Sequence, residues 1–448
     1  MLFTKDKRFY KAALTLALPV ILQNMITIGV NIMDTIMLGS YGEVQLSGSS
    51  LANELINLFQ ILCMGMGGGA AVLTAQYWGK KDIPALKRTV AIMLRFSLGI
   101  ASLFTLATAL FPRQIMSIYT NIPEVIEKGA LYFRMSLPTY ILMGISLTLT
   151  LILRSIRKMM VPLITSIICF GVNIFFNWVF IFGHLGAPEM QIEGAALGTV
   201  IARVVETAII AVYVFKKDEA VAMRVKDLFG KCGHQLKLYI QYSIPVMVSD
   251  SLLAFGNSAV AIIIGHISKE FVAANAIIAT IVRLSTVFNQ GLGSAAATIT
   301  GNTLGELDPE RAYREGVTFV SLSVLVGLLA AGIILCLSPF IIGQYNITEE
   351  TRAIAWQLMY AVAMMVIFQA MQSVLTKGVL RGGGDTRFLM VVDVLFLWLL
   401  SIPLGALCGL VWHLPPFFVY TALKIDWAVK SLWCLGRLRS KKWIRIVD

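Results

Sequence analysis

Long apolar runs separated by short polar breaks recur along the whole chain. At 1.5 Å per helical residue, roughly 20 such residues cross a hydrocarbon core of about 30 Å. A sliding window finds about twelve runs, near 12–38, 51–77, 89–111, 128–153, 161–183, 194–215, 238–264, 271–301, 316–341, 353–378, 387–410 and 415–436. They predict transmembrane helices, spans 1 to 12. The breaks are short except at 216–237, a basic stretch carrying Gly230 and Gly233. It reads as a cytoplasmic linker with a weakly amphipathic helix over 221–229.

The pattern also repeats. Pro19 to Arg88 matches Pro245 to Arg314 without a gap, at a constant offset of 226 residues. Pro19, Asn31, Gly39, Gly65, Gly67, Thr74, Gly79, Asp82 and Arg88 fall on Pro245, Asn257, Gly265, Gly291, Gly293, Thr300, Gly305, Asp308 and Arg314. The offset is about half the chain, so the protein is two copies of a six-span unit. An even span number per copy makes the repeats parallel, and such duplication points to a secondary transporter with a pathway between two bundles. The expected organisation is an N-lobe over 1–215, the linker 216–237, a C-lobe over 238–436 and a basic tail over 437–448. The fold class is therefore all-α integral membrane, two six-helix lobes around a central cavity.

Composition agrees. The chain is 57% hydrophobic and only 14% charged, against about a quarter charged in soluble domains. The net charge of +12 would suit nucleic acid, but its distribution excludes that reading. Lys and Arg gather at the N-terminus and after spans 2, 4, 6, 8, 10 and 12, whereas 40–50 and 184–193 carry none. The positive-inside rule puts both termini in the cytoplasm. The first span is too long, and too polar at its end, for a cleaved signal peptide. The six cysteines form neither a CxxC pair nor a disulfide framework. The Asn346-Ile-Thr348 sequon reads as chance.

Charges inside the bilayer cost about 2.5–3.5 kcal/mol each on insertion scales, so they mark function by default. Asp34 lies five residues before Gly39, at the outer end of span 1, and Asn24, Thr27, Asn31 and Asp34 make one polar stripe. In span 5, Asn173 and Asn177 stand one turn apart, with Asn177 six residues before Gly183. Thr199 is five residues into span 6 from Gly194. Asp34, Asn177 and Thr199 should therefore share a depth, with Asn173 one turn deeper. A carboxylate with amide and hydroxyl oxygens suits Na⁺, and a carboxylate out of water suits a proton. The bland alternative is interhelical hydrogen bonding.

The second copy differs. Asp250 replaces Asn24, Asn257 repeats Asn31, and Val260 stands where Asp34 would be. Asp393 and Asp426 lie within spans 11 and 12. These acids with Asn257 form a candidate substrate or second proton site. The structural alternative pairs Asp426 with Lys430 at i,i+4. Arg203 and Glu206 should neutralise each other, while Arg134, Arg283 and Lys377 pair with acids or snorkel. Glycines of span 2 and of Gly382–Gly384 are not a phosphate loop, because no GKS or GKT follows. Pro19, Pro138, Pro245 and Pro403 are candidate kinks.

At this point the chain resembles the multidrug and toxic compound extrusion (MATE) family over nearly its whole length, specifically a less-studied bacterial branch. The resemblance rests on Asp34 to Gly39, the Gly/Ala-rich ends of spans 2 and 8, Val172 to Gly183, Glu193 to Thr199 and Leu380 to Thr386. It implies alternating access and multidrug efflux of organic cations, driven by inward Na⁺ or H⁺. It implies a cation site in the N-lobe, mapping onto Asp34, Asn173, Asn177 and Thr199. Two departures stand out. Leu253 and Ala370 occupy positions where one branch has acids, and 153–158 lacks the Gly-Asp of the matching loop in the second copy.

The expected function is a cation-coupled antiporter in the bacterial cytoplasmic membrane. It would act as a monomer on small organic cations, with Na⁺ or H⁺ as coupling ion and no cofactor. The alternative is a flippase for a lipid-linked or polysaccharide precursor, which would want a basic cavity. An intramembrane enzyme is disfavoured because His184, His234, His266 and His413 are isolated and no HExxH occurs. No selectivity-filter motif supports a channel.

Overall fold

The computed structural model of the chain describes residues 4, 6–230, 233–344 and 347–447, with the side chains of Thr280, Leu284, Ser285 and Gln344 also outside the description. Lys5, Lys231, Cys232 and the Asn346 sequon position thus lie outside the described residues. The first copy supplies α1 (Lys7–Tyr41), α2 (Glu43–Lys80), α3 (Ile83–Leu110), α4 (Pro123–Ser155), α5 (Met160–Phe182) and α6 (Gln191–Lys217). The second supplies α7 (Gly233–Ile267), α8 (Lys269–Gly305), α9 (Pro309–Gln344), α10 (Glu349–Gly382) and α11 (Thr386–Val411). Among the described residues these 11 helices are long and apolar enough to cross a membrane. The twelfth expected span exists but is broken. Its halves, Pro416–Leu423 and Ile425–Arg439 (together α12), meet at Lys424, whose φ of −119° and ψ of 11° leave the helical region. No strand occurs among the described residues. The protein is a multi-pass, all-helical membrane protein.

The repeat is visible in local chemistry. Asp82 accepts a hydrogen bond from the backbone N–H of Ala85 at 3.0 Å and opens α3. Its equivalent, Asp308, accepts from Arg311 N–H at 3.0 Å and opens α9. Both satisfy an orphan donor of the first turn, and a proline follows each where its missing N–H costs nothing. Leu103, Leu106 and Leu110 on α3, and Leu325, Leu328 and Leu329 on α9, are exposed at helical spacing. In a chain of this composition such faces are lipid-facing surface.

By contacts the chain divides into two compact units. One holds 22–74 and 82–241; the other holds 1–21, 75–81 and 242–448. The core of the first is built on Phe59, Phe133 and Tyr140, with Phe59 and Tyr140 edge to face at 5.4 Å between centroids. The linker lies against this unit. The Asp218 side chain is buried, pairs with Lys158 and accepts from Val221 N–H at 3.1 Å. Asp227 pairs with Lys87 at 3.1 Å, and Arg95 donates to Gly230 O at 2.9 Å. The Arg224 backbone N–H, and then Lys87, hold the Asp227 carboxyl below the usual carboxylate range. The amphipathic helix expected over 221–229 contracts to one tight turn, Val225–Phe229.

The second unit centres on Ile278, Ile334, Leu358, Val366 and Leu423. Here the last turns of α2 cross α8 at Gly79 and Gly305, equivalent positions of the repeat. A Cβ on Gly305 would stand 2.8 Å from Gly79 Cα, so the two backbones touch. The basic tail is docked: Trp443 is 0% and Val447 2% exposed. Gln76 holds it at both ends of its amide, donating to Arg445 O at 3.0 Å and accepting from Val447 N–H at 2.8 Å.

This docking gives the Leu380–Thr386 motif its physical sense. A Cβ on Gly383 would collide with the Trp443 ring. Gly384 takes φ +87°, a left-handed conformation that glycine adopts without strain. The Asp385 carboxylate, fully buried, pairs with Arg437 at 2.7 Å and Arg445 at 2.7 Å. α10 and α11 also contain π-helical turns, at Val374–Val379, Leu395–Ser401 and Leu407–Val411. Such turns concentrate at functional sites.

Candidate functional site

Asp34, Asn173, Asn177 and Thr199 come together in the first unit, from α1, α5 and α6. Asn177 Nδ2 donates to Asp34 Oδ1 at 2.5 Å, a short charge-assisted bond. The same nitrogen faces Asn173 Oδ1 at 3.4 Å, and Asn173 Nδ2 faces Thr199 Oγ1 at 3.5 Å. The last two contacts are long and correspondingly weak. Asn177 is 0% and Asn173 2% exposed.

Two glycines of α6 permit this approach. A Cβ on Gly198 would stand 3.1 Å from Asn177 N and closer still to Asn177 Oδ1. A Cβ on Gly194 would meet the carbonyl of Phe180 at 2.6 Å. Gly194 and Gly198 are four residues apart, the small-residue spacing that lets two helix backbones close. Gly183 ends α5 at φ +71°, a left-handed cap.

Asn177 Oδ1 is buried and accepts no hydrogen bond. A buried carbonyl oxygen without a partner costs about 1–3 kcal/mol. Beside a carboxylate it is an acceptor available to a small cation. The oxygens of Asp34, Asn177, Asn173 and Thr199 are hard ligands of the kind that suit Na⁺, and Asp34 alone suits a proton. The donor chemistry therefore fits either coupling ion.

Sequence reasoning missed two neighbours, Tyr132 and Asn53, and the reach of a third, Arg203. Tyr132 on α4, 4% exposed, donates to Asn53 Oδ1 on α2 at 3.3 Å and interacts with Thr199 and Asp34. Neither residue stands out in sequence, because tyrosine and asparagine near a span end are ordinary interface residues. Arg203 forms the expected pair with Glu206, at 2.6 Å, but its charge also reaches Asp34. Asp34, Arg203 and Glu206 together carry one net negative charge.

The second candidate group is only partly assembled. Lys430 Nζ lies 3.1 Å from Asp426 Oδ2 and 3.3 Å from Asp393 Oδ1, so Asp393 and Asp426 share one ammonium. Asp250 is separate: it pairs with Arg381 at 3.0 Å. Asn257 does not join them. It is exposed, two turns along α7 from Asp250, and no described hydrogen bond links it to the acids. The repeat placed Asn257 opposite Asn31, and Asn31 is exposed too. Arg134, Arg283 and Lys377 are exposed.

Residues 19–179 and 245–407 each match the family described as MatE, one match per copy. The chain is 26% identical over 404 residues to a probable multidrug resistance protein NorM of Thermotoga maritima, covering 88% of this chain and 84% of that one. It is 22% identical over 451 residues to a probable NorM of Neisseria meningitidis, covering 99% and 96%. Among solved structures it superposes on an outward-facing conformation of a multidrug resistance MATE family transporter of the MOP superfamily. The TM-score is 0.86 at 19% identity, over 98% of this chain and 99% of that one. A MOP superfamily transporter from Pyrococcus furiosus, described by the reverse polarity of its binding pocket, gives 0.86 at 19% identity over the same shares.

Proposed function

Because the chain belongs to the MatE family, and is thus a transporter and not an enzyme, we propose that it is a multidrug efflux antiporter exchanging Na⁺ or H⁺ for organic cations. Its relatives named NorM come from bacteria, which supports the cytoplasmic membrane as its site, with both termini inside by the positive-inside rule. The observation that carries the coupling is the Asp34–Asn177 bond beside an unpartnered, buried Asn177 Oδ1.

The coupling works through charge and hydrogen bonding at α1 and α5. With a cation or proton on Asp34, the local negative charge is neutralised and the Asn177 bond changes its partner charge. The helices carrying these groups then favour a different packing. Cargo binding favours the other packing, so ion and cargo affinities oppose one another. Arg203 and Glu206 neutralise each other, so the site carries one net negative charge until an ion binds.

The test is ethidium efflux from proteoliposomes under imposed Na⁺ or pH gradients, wild type beside Asp34→Asn. Gradient-driven efflux abolished by the substitution supports the reading, and the effective gradient names the ion. Efflux that survives Asp34→Asn removes Asp34 from coupling. No efflux of organic cations under either gradient shifts weight to a lipid-precursor flippase. Against that reading, Arg203 and Arg381 are each paired with an acid, while Arg134, Arg283 and Lys377 are exposed.

A further inference from the structure

The last turns of α2, 75–81, belong to the second unit, although the rest of α2 lies in the first. They meet α8 in an arrangement that the repeat makes symmetric. Gly79 and Gln76 are the equivalents of Gly305 and Asn302. A Cβ on Gly79 would overlap the Asn302 carbonyl, and a Cβ on Gly305 would overlap the Gln76 carbonyl. The symmetry breaks at one pair of side chains. Asn302 Nδ2 donates across the crossing to Ala75 O at 2.9 Å. The Gln76 amide, longer by a methylene and fully buried, turns to the tail instead. It donates to Arg445 O at 3.0 Å and accepts from Val447 N–H at 2.8 Å.

From Gln76 the tail runs to the α10–α11 loop. Lys80, a turn after Gln76, donates to Val447 O. Arg445 N–H donates to Gly383 O at 2.9 Å, and the Trp443 ring fills the space that a side chain at Gly383 would need. Arg437 and Arg445 both pair with the buried Asp385. The linker of the first copy is built alike with the charges exchanged: Lys158, in the loop after α4, pairs with Asp218, just after α6. What the second copy adds is the grip on α2. In a transporter of two repeats, access alternates as one repeat moves against the other. The 75–81 segment is continuous with the first copy, so it leaves α8 when the tail's side of the membrane opens. We propose that the tail is a strap: bound to Gln76 and Lys80, it holds 75–81 against α8, and its release permits opening on that side. By the positive-inside rule that side is cytoplasmic.

The strength of the grip suits a strap that must let go. The two bonds of the Gln76 amide are together worth roughly a tenfold to hundredfold bias toward the gripped state. That is the range over which a bound ligand shifts a conformational equilibrium. The anchors at Trp443 and Asp385 lie wholly within the second copy, so they stay fastened while Gln76 releases. The tail then remains beside the α10–α11 loop, placed to take hold of Gln76 again.

This inference goes beyond the ion site and needs only a transporter of two moving repeats. The experiment is pulsed double electron resonance on the purified full-length protein in lipid nanodiscs, with spin labels at Lys81→Cys and Leu307→Cys. These are equivalent, exposed positions just beyond Gly79 and Gly305. Cys169, Cys232 and Cys336 are replaced by serine, while Cys63, Cys408 and Cys434 are buried and stay. With the strap intact, the short distance of the closed crossing should dominate. Gln76→Ala and Trp443→Ala should each raise the ratio of long to short distances roughly tenfold or more. The double variant should open no further than the wider single one, because both remove the same grip. Should Trp443→Ala fail to fold, Val447→Pro takes its place, since proline lacks the N–H that Gln76 accepts. Four results overturn the proposal: long distances already dominant with the strap intact, unchanged distances in folded Gln76→Ala, unchanged distances in the folded tail variant, or additive opening in the double variant. None of these results involves Asp34, a coupling ion or a cargo.

Discussion

Gly198→Ala tests the geometry of the proposed ion site without replacing any of its polar groups. The added methyl would stand 3.1 Å from Asn177 N and 3.2 Å from Asn177 Cγ, and nearer still to Oδ1. The nitrogen is backbone, so it cannot swing aside. Either α5 and α6 separate or the Asn177 amide turns away from Asp34. Overpacking of this kind costs about 1–3 kcal/mol. Losing the bond to a charged Asp34 costs roughly 1.5–3 kcal/mol. At 1.4 kcal/mol per tenfold, the Na⁺ concentration needed for half-maximal ethidium efflux should rise roughly tenfold to a hundredfold if Na⁺ is the coupling ion, whereas loss of a hydrogen bond to the ionised carboxylate would shift a proton-coupled site the other way. The control is Gly171→Ala on the facing helix α5, where a Cβ meets nothing within 4 Å. It should leave ion dependence unchanged and stabilise the helix slightly. The assay is efflux against ion concentration in proteoliposomes, with thermal unfolding alongside. A folded Gly198→Ala protein with wild-type ion dependence would refute the reasoning.

Two further predictions concern the cytoplasmic segments. Trp443→Ala should cost about 3–5 kcal/mol, the range for emptying a buried aromatic site, and should be read as a fall in thermal unfolding temperature; a solvated tail would show no fall. Asp227 has a folded pKa below its unfolded one. Its contribution to linker docking is therefore full above the ordinary carboxylate pKa of about 4 and lost as pH falls through the folded value. Proteolysis of the linker should rise at acidic pH in wild type and be already high at neutral pH in Asp227→Asn. Equal cleavage of both proteins at neutral pH would remove Asp227 from that role.

Much of this was readable from sequence because membrane chains obey few rules strictly. Span lengths follow from bilayer thickness, and a gapless offset exposes the duplication through residues such as Gly79 and Gly305. The clustering of Asp34, Asn173, Asn177 and Thr199 was legible because counting turns from Gly39, Gly183 and Gly194 assigns depth, and helices keep that count. Depth does not give azimuth. Nor does it give contact: Asn257 is exposed two turns along α7 from Asp250, and Tyr132 and Asn53 show no unusual chemistry in sequence. The triad was half legible: i,i+4 spacing predicts Lys430 beside Asp426, whereas Asp393 reaches them only through the packing of α11 on α12. The docking of the tail was not legible, because its lysines and arginines mask Trp443 and Val447. Only the docked arrangement shows that the glycines of the Leu380–Thr386 motif exist to receive it.

The central claim is that Asp34 holds the ion that cargo displaces. Its most direct test is equilibrium binding of ethidium to the purified protein at rising Na⁺ and at falling pH, for wild type and Asp34→Asn. Reciprocal linkage requires ethidium affinity in wild type to fall as the coupling ion rises, and to become indifferent to that ion in Asp34→Asn. Ethidium binding that ignores both ions in wild type, or that stays equally ion-sensitive in Asp34→Asn, would contradict the account.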